Sequence, residues 1–74
     1  MPELPRISGA EAIRVFGRLG FHQVRQRGSH VVLRRGDCGC VIPVHPSLAI
    51  GTLRCAIRQA GITPEDFVAA YKNK

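Results

Sequence analysis

His30 sits in Gly28-Ser29-His30, directly before the apolar run Val31-Val32-Leu33. A titratable ring at the start of a strand needs either a partner or a task, and imidazole gives or takes a proton near neutral pH. Two more residues have types that fit proton and phosphate chemistry: His45 in Val44-His45-Pro46 and Arg25 in Val24-Arg25-Gln26. Such a set suits cleavage of a phosphodiester by the 2′-hydroxyl of an RNA strand. One imidazole removes the hydroxyl proton. A second group protonates the leaving oxygen, and an arginine offsets charge as it builds on the phosphate. Gln23, Arg25, Arg27, Ser29 and Arg34 are the candidate RNA contacts, and Gly28 is the candidate turn residue. Two readings stay open for Ser29, a phosphate contact or a turn cap. His45 also has two, a share in the chemistry or the end of a strand at Pro46.

The elements that must position these residues are legible in outline. Ser8 with Glu11 three residues later forms a capping box, and the helix it opens is expected to run through Leu19 to a stop at Gly20. Strands are expected over Phe21 to Arg27, Ser29 to Arg35 and Cys40 to His45, with Pro43 placing the third at an edge or a break. A helix is expected over Thr52 to Ala60, stopped by Gly61. Thr63-Pro64-Glu65-Asp66 opens a last helix, with Thr63 as cap and Pro64 at its first position. The order α-β-β-β-α-α predicts an α+β fold, a three-stranded antiparallel sheet with helices on one face.

Turn placement then predicts a register. With Arg27-Gly28 as the first turn, Arg25 pairs with His30. With Asp37-Cys38 at the tip of the second, His30 pairs with His45. Alternation sends Val24, Val31, Leu33, Ile42 and Val44 to the helix side. Arg25, His30 and His45 then lie side by side across three strands on the other face, flanked by Gln23 and Arg27. Val32, Val41 and Pro43 make that face partly apolar. His22 falls at a rim and is given no role.

The chain has 74 residues and is expected to be one domain over 1–74. Eleven lysines and arginines against five acids give a net charge of +6, which points to a polyanionic partner, nucleic acid first. No apolar run approaches the roughly 18 residues of a membrane helix. The N-terminus lacks the apolar core of a signal peptide, so a cytoplasmic location is expected. Cys38, Cys40 and Cys55 are an odd count and a poor disulfide framework. Cys38-Gly39-Cys40 near His45 fits none of the usual zinc spacings, so reduced thiols and no metal or cofactor are expected.

Five blocks carry a family resemblance: Leu19-Gly20-Phe21, Val24 to His30, Val41 to His45, Gly51-Thr52-Leu53-Arg54 and Ile57 to Ile62. In this order and spacing the chain resembles the HicA toxins, over most of its length from about Ser8 to Phe67. The resemblance implies an mRNA interferase of a type II toxin–antitoxin pair with a double-stranded-RNA-binding-domain-like fold. It implies a catalytic histidine, which maps onto His30, and a HicB-type antitoxin that masks the site. His45 matches a histidine common in the family. The helix from Thr52 departs from true duplex-RNA binders, whose lysine cluster it lacks; Ala49-Ile50-Gly51 stand before it. The expected function is a metal-independent endoribonuclease. A non-catalytic RNA-binding module of the same fold is the alternative, and a third reading gives the basic surface only an acidic protein partner.

Overall fold

Two glycine-led turns set the sheet. In the computed structural model, which describes residues 3–73, Arg27 pairs with His30 and Arg35 with Cys38. The two-residue loops are therefore Gly28-Ser29 and Gly36-Asp37. Gly28 has φ +58° and Gly36 φ +61°, while no non-glycine residue has positive φ. A positive φ at the first central position only is the type II′ hairpin turn, whose twist matches that of its strands and which takes Gly there. This overturns the predicted turns Arg27-Gly28 and Asp37-Cys38. Each register consequently moves by two residues.

The strands are β1 (His22–Arg27), β2 (His30–Arg35) and β3 (Cys38–Pro43), in the order β1-β2-β3 and antiparallel. A shift of two preserves the side-chain alternation, so the faces of β2 and β3 are as predicted. Val31, Leu33 and Ile42 are buried on the helix side, joined by Cys40. β1 differs. Gln23 pairs with Leu33 and Arg25 with Val32, so Val24 is a bulge between them. It is 49% exposed rather than buried. Val44, predicted on the same apolar face, lies beyond the end of β3 and is 40% exposed.

Helix α1 (Gly9–Arg18) starts at the expected capping box: Ser8 Oγ accepts from the Glu11 backbone N–H at 3.1 Å, and the Glu11 carboxylate accepts in return. Helix α3 (Pro64–Lys72) starts at a second box between Thr63 and Asp66. Helix α2 (Ile50–Ala60) ends at Gly61 with φ +75° but begins two residues before the expected Thr52. Its cap is Ala49, with no side-chain hydrogen bond. Packing fixes that start instead. Leu48 is buried, and its N–H donates to the Ile7 carbonyl at 2.8 Å.

The core lies between the sheet and the helices. Phe16 of α1 meets Phe21 edge-on and Phe67 of α3 at a tilt, both with ring centroids 5.3 Å apart. Leu53, Ala56, Ile57 and Ala60 are the buried stripe of α2. No described polar or charged side chain is buried, so the excess of arginine is displayed at the surface. Arg35 lies over the Phe21 ring, 4.8 Å from its centroid, and donates to the Leu19 carbonyl at 2.7 Å.

Candidate active site

The Gly28-Ser29 turn delivers His30 as the first residue of β2, exposed to solvent. Gln26 Nε2 braces the turn by donating to the Gly28 carbonyl at 3.0 Å. Across the ladders His30 has Arg27 on one side and Pro43 on the other. Directly opposite residues share a face, with Cβ atoms about 4.5–5.5 Å apart. Arg27 is therefore the cation next to His30. Arg25, predicted there, lies opposite Val32 instead. It stays on the same face, further along the strands.

His45 is not the cross-strand partner of His30, because β3 ends at Pro43. The Val44 N–H still donates to the Ser29 carbonyl, at 2.6 Å, and the chain then turns off the ladder. The His45 N–H donates back to the Pro43 carbonyl at 2.9 Å, closing a three-residue turn. The His45 carbonyl in turn accepts from the Gly9 N–H, the first of α1, at 2.9 Å. Among the described residues, His45 is thus held through its backbone, with no hydrogen bond to its ring.

Its ring still meets the site. His30, Pro43, His45 and Val41 line one side of an open groove of about 780 Å³, and Thr52, Cys55 and Gln59 of α2 line the other. A smaller stretch continues it along β3 past Val32, Gly39 and Arg34, again with Gln59 at its wall. No acidic side chain lines either stretch. Ala49, the cap of α2, and Gly51, in its first turn, stand at the histidine end. The N–H groups of that turn have no side-chain cap, so they bring partial positive charge to the groove.

The remaining predicted residues divide. Arg34 lies on the His30 face, opposite His22 and Gly39, and reaches the far stretch of the groove. Ser29 is a turn residue whose carbonyl is taken by Val44. Gln23 leaves the site: the Val24 bulge puts it opposite Leu33, on the helix side, where its amide contacts Gln26 Oε1 at 3.5 Å. His22 is exposed on the edge strand, as predicted.

Thr52, Cys55 and Gln59 were not foreseen. Their spacing carries the signal, since positions i, i+3 and i+7 share one face of a helix, beside the buried Leu53–Ala56–Ala60 stripe. All three cysteines are free; Cys38 and Cys55 are exposed and Cys40 is buried. Burial pushes the Cys40 thiol from 9.0 up to about 11, by penalising the thiolate. Among the described residues no group of three or more His, Cys, Asp or Glu is arranged to hold a metal ion. No described helix is long and apolar enough to cross a membrane.

A family model described as the HicA toxin of bacterial toxin–antitoxin systems matches residues 9–62. The match begins at the first residue of α1 and ends just past α2, so it spans the whole sheet and both walls of the groove. No curated protein matches the chain.

Proposed function

We propose that this chain, which belongs to the HicA toxin family of bacterial toxin–antitoxin systems, is an endoribonuclease that cuts mRNA at the groove beside His30. Its partner is an antitoxin, and we take that antitoxin to be of the HicB type, seated over the same groove. The observation that carries the reading is the juxtaposition of His30 with Arg27 at the mouth of a groove that His45 also lines.

The substrate supplies its own nucleophile. His30 takes the proton from a ribose 2′-oxygen, which bonds to the adjacent phosphorus. The bond from phosphorus to the 5′-oxygen breaks, and that oxygen is protonated by the His45 imidazolium or by water. The products are a 2′,3′-cyclic phosphate and a 5′-hydroxyl. Arg27 offsets the extra negative charge on the phosphoryl oxygens, and the uncapped first turn of α2 adds partial positive charge. General acid–base transfer of this kind contributes typically 10²–10⁴-fold.

Positive charge near the reacting phosphate serves binding as well. Arg25, Arg27 and Arg34 share the open face, and Arg can grip a phosphate bidentately. The scheme is tested by the ends it leaves. Fragments of a defined single-stranded RNA are expected to carry 2′,3′-cyclic phosphates. A 3′-hydroxyl with a 5′-phosphate would contradict the 2′-hydroxyl route.

A further inference from the structure

We propose that α2 reads a base. The groove holds a single RNA strand with its phosphates over the sheet and one nucleobase against Gln59, and this contact sets which sequences are cut. The inference rests on the cleavage reading and adds the orientation and selectivity of the bound strand.

The two walls of the groove differ in charge. Arg34 lines the sheet side, and Arg25 and Arg27 stand exposed on the same face, on β1 just beyond His30 and Val32. The α2 side presents Thr52, Cys55 and Gln59, which are uncharged. The cations of α2, Arg54 and Arg58, line a separate depression with Leu4, Ile57 and Pro64 on another side of the helix. A phosphate chain lowers its energy along the sheet side and gains no ion pair from α2. The strand therefore lies with its backbone toward the sheet and its bases toward the helix.

Between the walls the floor is apolar. Val41 is 42% exposed, and Val32 and Pro43 beside it are half-buried. That surface suits the face of an unstacked base. Gln59 reaches both stretches of the groove, as Val41 does, so it stands over the middle of this floor. An amide sets its donor and acceptor on two neighbouring atoms and can pair with a base edge through both at once, whereas a hydroxyl or thiol has a single atom for both functions. The edge must be unpaired to reach it, which selects a single strand over a duplex.

The test maps cut sites on a single-stranded RNA oligonucleotide library with a randomised centre. Wild type, Gln59→Ala and Arg54→Ala are compared. Wild type is expected to show a base preference at one position beside the cut. Gln59→Ala is expected to reduce that preference by roughly five- to tenfold at that position alone, the low end of what one amide–base contact contributes. Arg54→Ala, on the far side of α2, is expected to keep it. An unchanged preference in Gln59→Ala, an equal loss in Arg54→Ala, or no preference in wild type would overturn the proposal. A wild-type protein that leaves the library intact refutes the cleavage reading instead. The base preference is then read by selection of bound oligonucleotides, and the same three comparisons decide the role of Gln59.

Discussion

Arg27 lies directly across the β1–β2 ladder from His30, one residue on each side of the Gly28-Ser29 turn. Arg25 lies two positions further along the same face, opposite Val32. The reacting phosphate must touch His30, so the two arginines are unequal. Arg27→Ala is expected to lower kcat/KM for RNA cleavage by roughly tenfold or more, short of the 10²–10³ of an enclosed donor because the site is open to solvent. Arg25→Ala is expected to cost less, and to act mainly through KM. Kinetics of the two variants on one oligonucleotide give the comparison, and an Arg25 effect equal to or larger than that of Arg27 would contradict this register.

Gly9 and Gly17 lie on the same helix and should respond oppositely to alanine. A Cβ at Gly9 would collide with the Pro43 carbonyl oxygen and lie 2.9 Å from Val44 Cα. The helix would have to move, and with it the Gly9 N–H that holds the His45 carbonyl. Gly9→Ala is expected to destabilise the fold by about 1–3 kcal/mol and to lower cleavage. A Cβ at Gly17 meets nothing within 4 Å, so Gly17→Ala is expected to stabilise by about 0.5–1 kcal/mol through helix propensity. Urea unfolding of both variants measures the difference in sign.

The same contrast shows what could be read from the sequence. Both capping boxes and the Gly61 stop are local, and Ser8, Glu11, Thr63 and Asp66 announced them. The faces of β2 and β3 were also legible, since moving each turn by one residue shifts pairing by two and leaves alternation intact. The turns themselves were recoverable: Gly-Ser and Gly-Asp are dipeptides that a type II′ hairpin favours. Other features depend on distant parts of the chain. The Val24 bulge has no glycine or proline to mark it, yet it removes Gln23 from the site. The start of α2 rests on Leu48 bonding to Ile7, not on a polar cap. Only the packing of α2 beside β3 brings Thr52, Cys55 and Gln59 to the groove.

The three thiols should separate cleanly. Cys38 and Cys55 are exposed, whereas Cys40 is buried with its thiol pushed up to about 11. An aromatic disulfide reagent at neutral pH is expected to titrate two thiols quickly and the third only on unfolding. Burial also sets a pH window. Between about 9 and about 11 the folded chain keeps the Cys40 proton that the unfolded chain has released. The contribution to stability is therefore whole below pH 9 and falls as the pH rises toward 11. Cys40→Ala should lose that alkaline decline, which unfolding curves across this range would record. A decline of the same size in the variant would rule out Cys40 as its source.

The most direct measurement of the central claim is cleavage of a single-stranded RNA in EDTA by the wild-type chain and by His30→Ala, both checked for the same fold by circular dichroism. The account predicts that the wild-type chain cuts and the variant does not, while both bind the RNA. Equal cleavage by the two proteins, or RNA binding with no cleavage by either, would contradict it.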